Sequence, residues 1–165
     1  MEIYLLRHGE AEVRGTPGYP NDDRPLTEDG IVKMTEAAKG IAEIVGKIDV
    51  IVSSPLIRAV DTAKIAAEAL GYDKKIITTE YLVPGYPQRS LFGFLKEYNN
   101  KDKMILTGHE PHLGYLASFM LGTTERIIEF KKGGICRIDI IEFPPDGKGK
   151  LIWHLTPKQL RLLAG

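Results

Sequence analysis

The sequence predicts an α/β protein, built as a single three-layer α/β/α domain with a mostly parallel central sheet. Two observations carry this prediction. Short apolar runs rich in β-branched residues recur along the 165-residue chain, and segments with helical periodicity separate them. The length suits one hydrophobic core and no internal repeat interrupts the pattern, so we expect one domain over residues 1–165.

Six apolar runs predict strands, and the last two predict a hairpin at one edge of the sheet. Between these two runs lies Pro144-Pro145-Asp146-Gly147, a break rich in turn-forming residues. The predicted strands cover residues 3–6, 48–53, 75–79, 104–107, 135–143 and 150–155.

Helical periodicity predicts five helices among these strands. Thr27 is the expected N-cap of the first helix, and apolar residues then recur at helical spacing as one buried stripe. The stripe comprises Ile31, Met34, Ala38, Ile41 and Val45. The other four helices are predicted over about 55–70, 88–98, 111–122 and from 157 onward. Gly71 supplies the left-handed cap of the second helix, and Pro157 lies in the first turn of the last.

Composition and charge exclude several classes of protein. Hydrophobic residues make up 43% of the chain and charged residues 27%, as in ordinary globular proteins. The 22 basic and 22 acidic residues balance, which disfavours nucleic acid or a membrane surface as a partner. The single cysteine, Cys136, excludes an intramolecular disulfide and is expected to be buried. Arg7 interrupts the first apolar run where a signal peptide would continue, so a cytoplasmic location is expected.

Polar residues follow three of the predicted strands at the point where each strand ends. Arg7 and His8 follow the first, Ser53-Ser54-Pro55 follows the second, and His109 follows the fourth. The carboxyl ends of parallel strands lie at the same edge of a sheet. We therefore expect Arg7, His8, His109 and the nearby Arg58 to lie close together although they are far apart in sequence.

These four side chains suit phosphoryl transfer. A neutral imidazole is a competent nucleophile toward phosphorus, and guanidinium groups match phosphoryl oxygens in charge and geometry. A second histidine adds another cationic donor if it is protonated. We expect Arg58 about one turn into a helix opened by Pro55, whose N-terminus would also favour an anion.

Four sequence blocks in order resemble the histidine phosphatase (phosphoglycerate mutase-like) superfamily. The first is Leu6-Arg7-His8-Gly9-Glu10-Ala11, and the second is Arg24-Pro25-Leu26-Thr27 followed by Gly30. The third runs from Ser53 to Ala63, with Asp61 where glutamine is common in the family, and the fourth is Gly108-His109-Glu110-Pro111. The length and the C-terminal segment resemble the short, cap-less SixA branch of phosphohistidine phosphatases.

The resemblance implies a fold, a mechanism and a set of site residues. It implies a phosphoglycerate mutase-like fold with His8 as the nucleophile, and with Arg7, Arg58 and His109 binding the phosphoryl group. It implies neither a metal nor an organic cofactor. The sequence agrees with this, because it contains no Gly-x-x-x-x-Gly-Lys phosphate loop and no clear carboxylate cluster for magnesium.

The acid that would protonate the leaving group is the open question in the sequence. Related mutases and acid phosphatases take a carboxylic acid from a segment after the third strand, where this chain offers Glu80. Glu10, directly after the signature, is a second candidate for the acid or for substrate binding. Glu80 could instead be a solvated loop charge, and Glu10 could pair with a nearby arginine.

A site without a clear general acid favours a phosphohistidine protein as substrate, because imidazole leaves more readily than an alkoxide. A phosphatase acting on a small phosphate ester is the first alternative. A non-catalytic module that only binds phosphate or phosphorylated protein is the second. The sequence does not predict the oligomeric state or the pathway.

Overall fold

A six-stranded sheet forms the centre of the protein, in the order β3-β2-β4-β1-β5-β6. The structure is a computed structural model that describes residues 1–19 and 22–165. Strands β3, β2, β4 and β1 run parallel to one another, whereas β5 is antiparallel to both of its neighbours. The strands are β1 Glu2–Arg7, β2 Val50–Ser53, β3 Ile77–Thr78, β4 Lys103–Gly108, β5 Ile135–Asp139 and β6 Lys150–Leu155. The predictions of a mostly parallel sheet and of an edge hairpin are confirmed.

Helices cover both faces of this sheet. The helices are α1 Glu28–Val45, α2 Ile57–Ala69, α3 Gln88–Leu95, α4 His112–Met120 and α5 Pro157–Leu163. Short 3-10 turns occupy Glu80–Leu82 and Lys96–Tyr98. On β1, Ile3 and Leu5 belong to the core with α3 and α4, whereas Tyr4 and Leu6 belong to the core with α1, α2 and α5. Side chains that alternate between two buried faces produce the predicted three-layer α/β/α fold.

Helix α1 begins as predicted but buries a different residue in its first turn. The Thr27 side chain accepts a hydrogen bond from the Gly30 N–H at 2.9 Å, which is the expected N-cap. Ile31 is 44% exposed, so its place in the buried stripe is wrong. Gly30 faces the core instead, and a Cβ on it would lie 2.1 Å from the Glu10 carbonyl oxygen. The chain after His8 therefore packs directly on the helix backbone.

Helix α2 begins later than predicted, which changes the position of Arg58. Leu56 is the N-cap and Ile57 is the first helical residue, so Arg58 lies in the first turn and not one turn inside. The helix is delayed because Ser54 Oγ accepts the Leu56 N–H at 3.3 Å and forms a turn first.

The remaining differences from the predictions are small. The fifth strand ends at Asp139 and not at residue 143, and the third helix gives way to a 3-10 turn after Leu95. Cys136 is buried, as expected. No helix in the two described ranges has both the length and the apolar character to cross a membrane.

Candidate active site

The carboxyl ends of β1 and β4 bring His8 and His109 side by side. These strands pair in parallel with Arg7 opposite Gly108, and each histidine is the next residue along its strand. The two ring centroids are 5.1 Å apart, and both side chains are buried. The charges of Arg7 and Arg58 act on the His8 ring. The structure thus brings together the four residues that the strand ends predict to be neighbours.

His8 is held in one tautomer by its own loop. Its Nδ1 lies 2.7 Å from the Gly9 carbonyl oxygen, which can only accept, so Nδ1 carries the proton. Burial lowers the pKa of His8 to about 3, and the nearby charges of Arg58, Arg7 and Lys132 also lower it, although the bond to Gly9 opposes them. His8 is therefore neutral at neutral pH, with a lone pair on Nε2.

Helix α2 ties the His8 loop to Arg58 through one threonine. The Gly9 N–H donates to Thr62 Oγ1 at 3.0 Å, and the same hydroxyl donates to the Arg58 carbonyl at 2.7 Å. Because Thr62 is fully buried, these bonds hold the loop and the helix in one relative position.

Two guanidinium groups near this loop, that of the half-buried Arg7 and that of the buried Arg58, have N–H donors without a partner among the described residues. Arg7 Nη1 donates to the Phe130 carbonyl at 2.5 Å. Arg58 Nη1 and Nη2 donate to the Asp22 carbonyl and to Asp22 Oδ2, at 2.8 and 3.0 Å. The Nε groups of both arginines are buried and lack a partner within the part of the chain that the structure describes. Such unpaired buried donors suit an anion.

His109 is held by Ser54 and is neutral in this arrangement. Its Nε2 lies 2.8 Å from Ser54 Oγ, while its buried Nδ1 lacks a partner among the described residues. Burial and the neighbouring His8 and Arg58 lower the pKa of His109 to about 2. The cationic form that the sequence allows for His109 is thus not the form favoured at neutral pH. One ring nitrogen remains available to a bound oxygen.

The two candidate acids lie in exposed positions. Glu80 begins a 3-10 turn after β3 and is exposed. Its carboxylate makes no hydrogen bond or ion pair with any described residue. Glu10 Oε2 pairs with Lys33 Nζ at 3.2 Å, so its partner is a lysine and not an arginine. A role for Glu80 or Glu10 in acid catalysis stays a prediction.

A cavity of about 330 Å³ lies along the chain segments next to His109. Its walls come from residues 84–88 and from Pro111, His112 and Tyr115. His112 Nε2 donates to the Tyr81 carbonyl at 3.1 Å, which joins α4 to the segment after β3. No lysine, arginine, aspartate or glutamate lines this cavity. It therefore suits an uncharged group.

Sequence reasoning missed three residues that hold the site. Ser54 and Thr62 lie inside the third sequence block, so that block contained a signal for them. Asp22 had none, because its contact with Arg58 spans 36 residues. Within the ranges the structure describes, no group of three or more histidine, cysteine, aspartate or glutamate side chains could hold a metal ion.

The fold and the site together define the class of protein. A neutral buried histidine beside two arginines and a second histidine can bind and attack a phosphoryl group. The family model of the histidine phosphatase superfamily (branch 1) matches residues 3–83. An uncharacterised protein of Picosynechococcus sp. is 34% identical over 140 residues, which are 82% of each chain. The chain belongs to the histidine phosphatase superfamily, and its class is that of the phosphatases.

Solved structures share the fold over nearly the whole chain. The protein histidine phosphatase SixA complexed with tungstate is 23% identical with a TM-score of 0.82, covering 97% of this chain and 99% of that one. The phosphoserine phosphatase mutant from Entamoeba histolytica, in complex with phosphoserine, is 19% identical with a TM-score of 0.69. That match covers 96% of this chain and 98% of the other. These similarities identify the phosphoglycerate mutase-like fold.

Proposed function

We propose that this protein is a phosphatase that works through a phosphohistidine intermediate on His8. One observation carries the proposal: Nδ1 of His8 is bonded to the Gly9 carbonyl, and the pKa of His8 is lowered to about 3. A nucleophilic imidazole must be unprotonated on the attacking nitrogen, and this arrangement leaves Nε2 in that state.

The proposed reaction has two steps. In the first, His8 Nε2 bonds to phosphorus as the bond to the leaving group breaks, and the leaving atom takes up one proton from solvent. In the second, water bonds to phosphorus and the N–P bond breaks, which releases inorganic phosphate, returns one proton to solvent and restores neutral His8. Arg7, Arg58 and His109 bind the phosphoryl oxygens in both steps, since positioning and charge stabilisation provide most of the catalysis in phosphoryl transfer.

The proposed substrate is a phosphohistidine protein. Acid catalysis speeds the departure of an alkoxide by about 10²–10⁴-fold, and it is less needed for imidazole, which leaves as a neutral ring. Glu80 is exposed and Glu10 is paired with Lys33, so neither is held ready as an acid. The uncharged cavity between residues 84–88 and the start of α4 also suits a neutral ring better than an anionic group. The shared fold with the protein histidine phosphatase SixA supports the same choice.

A small phosphate ester is the second candidate substrate. The observation that favours it is the shared fold with a phosphoserine phosphatase. Phosphoserine carries a carboxylate and an ammonium group, and the described residues that line the cavity at the start of α4 include no charged side chain to pair with either.

Trapping of the intermediate tests the mechanism. Rapid quenching with base during turnover of a chemically phosphorylated histidine-containing protein should yield an acid-labile, alkali-stable phosphate on His8. His8→Ala should lose this label and on the order of 10³-fold or more in kcat, because the nucleophile is gone. His154→Ala, which removes a different histidine, in β6, is the control and should keep the label. Full hydrolysis by His8→Ala would exclude the mechanism.

A substrate panel tests the choice of substrate separately. The values of kcat/KM are compared for the phosphorylated histidine protein, phosphoserine, and sugar and nucleotide phosphates. The protein should be preferred. Efficient turnover of one small ester with none of the protein would reject the phosphohistidine substrate and leave the His8 mechanism intact.

A further inference from the structure

Glu110 is a nearly buried carboxylate directly after His109. Its side chain is only 8% exposed, and it is not one of the residues proposed above to touch the phosphoryl group. Oε1 accepts a hydrogen bond from the Phe130 N–H at 2.7 Å, and Oε2 accepts one from Arg126 Nη1 at 3.1 Å. A buried carboxylate is costly unless such partners satisfy it, and here each of the two oxygens has one.

The Phe130 residue joins this carboxylate to Arg7. Its N–H is bonded to Glu110, and its carbonyl oxygen accepts from Arg7 Nη1 at 2.5 Å. Phe130 is completely buried, so water does not compete for these bonds from the side-chain face. The N–H and the carbonyl of Phe130 belong to successive peptide groups on either side of its Cα, so Glu110 holds the backbone whose carbonyl accepts from Arg7.

The same segment also holds the backbone of the His8 loop. The Gly133 N–H donates to the carbonyls of Arg7 and His8 at 3.2 and 3.0 Å, and the Arg7 N–H donates to the Gly134 carbonyl at 3.0 Å. Gly133 adopts a φ of 77°, which an L side chain would strain. The segment from Phe130 to Gly134 therefore contacts both the side chain and the backbone of Arg7.

Electrostatics support the same connection. Burial lowers the pKa of Arg7, and the negative charge of Glu110 is the largest opposing influence. Glu110 thus lies close enough to Arg7 to stabilise its charge as well as to orient it through Phe130.

We propose that Glu110 is a positioning residue for Arg7, acting through the backbone of Phe130. It holds the guanidinium so that the N–H groups not bonded to Phe130 are presented to the phosphoryl group. This inference rests on the proposed function, because it matters only if Arg7 binds the phosphoryl oxygens.

Anion binding measured by calorimetry tests the proposal, with tungstate as the probe. Glu110→Ala should weaken tungstate binding about tenfold, the loss expected for one charge-assisted hydrogen bond. Glu110→Gln keeps an oxygen for the Phe130 N–H and should bind within threefold of the parent. Arg126→Ala removes only the half-exposed ion pair and should bind within twofold. Glu125→Ala, an exposed glutamate on the same segment, is the matched control.

The outcomes separate positioning from a merely structural role. Unchanged tungstate affinity in Glu110→Ala, with only a lower melting temperature, would overturn the proposal. Equal losses of tungstate affinity in Glu110→Gln and Glu110→Ala would also overturn it, because the contact between residue 110 and the Phe130 N–H would then not be the cause. If Glu110→Ala does not fold, Glu110→Asp replaces it and should show a comparable loss, since its carboxylate is one methylene shorter.

Arg7→Ala provides the reference for the proposed function. If Arg7→Ala weakens tungstate binding and Glu110→Ala does not, only the inference about Glu110 fails. If Arg7→Ala binds tungstate as tightly as the parent, the role of Arg7 in the proposed function fails first.

Discussion

Two adjacent buried serines at the end of β2 have different hydrogen-bond partners. Ser54 Oγ bonds to His109 Nε2 at 2.8 Å, whereas Ser53 Oγ donates to the Ser54 carbonyl at 2.9 Å. Both side chains are fully buried. Only Ser54 bonds to the second histidine, and its Oγ also accepts the Leu56 N–H at 3.3 Å, so the pair offers a comparison at the scale of a single residue.

Ser54→Ala should lower kcat/KM by about threefold to tenfold, because one buried hydrogen bond to His109 is worth about 0.5–1.5 kcal/mol. Steady-state kinetics on the best substrate of the panel would measure this effect. Ser53→Ala should cost similar stability but leave kcat/KM within twofold. Equal kinetic losses in the two variants would argue against a role for Ser54 in orienting His109.

At the scale of an element, the connection between β1 and α1 brings the carboxylate of Asp22 into contact with the guanidinium group of Arg58. Asp22 pairs with Arg58 Nη2 at 3.0 Å and with Arg24 Nε at 2.8 Å. Burial would raise the pKa of Asp22, but the hydrogen bond from Arg24 and the charge of Arg58 hold it at about 2. A permanently ionised carboxylate therefore occupies donors that a phosphoryl group could use.

Asp22→Asn should tighten tungstate binding by about twofold to fivefold, since a partly exposed ion pair is worth about 0.2–1 kcal/mol. Asparagine suits the test because it tolerates the φ of 63° at this position and removes only the charge. Asp23→Asn, the exposed neighbour, is the control in the same calorimetric titration. Weaker binding by Asp22→Asn would mean that Asp22 orients Arg58 and does not compete with the anion.

At the scale of the whole molecule, packing of the layers keeps the site histidines neutral. Burial is the largest cause of the lowered pKa of His8, His109, His112 and His154. In the unfolded chain an imidazole has an ordinary pKa of about 6.5. As pH falls, the unfolded state takes up protons that the folded state excludes, so this part of the stability is complete above about pH 6.5. The contribution of His8 to the free energy of unfolding is lost progressively as the pH falls toward 3.

The free energy of unfolding should therefore fall between pH 7.5 and 5.0, with His8 contributing about 2 kcal/mol to the loss. Urea denaturation of the parent and of His8→Ala at both pH values would measure the difference. The cavity left by alanine lowers stability at both pH values and cancels in the comparison. An equal loss in the two proteins would show that His8 titrates normally in the folded state.

Local patterns in the sequence were sufficient to predict most of the strands and helices and to predict which residues lie near one another in the site. Alternation and helical spacing depend on nearby residues, and parallel strands must end at a common edge, so His8 and His109 could be expected together. The predictions that were wrong concern positions where one element packs against another part of the chain. Ile31 fits the helical stripe by spacing, but the chain after His8 packs on Gly30 instead. Arg58 was expected deeper in its helix, because the Ser54 turn before it depends on a side-chain hydrogen bond.

By itself, then, the sequence determined the fold class, the strand ends and the identity of the histidines and arginines that gather there. Tertiary structure decided their protonation and their partners. The neutral state of His8 and His109 follows from burial, which depends on every layer packed around them. The contacts of Arg58 with Asp22 and of Glu110 with Phe130 join residues 36 and 20 positions apart. Such pairings arise from the path of the chain in space, and no local pattern encodes them.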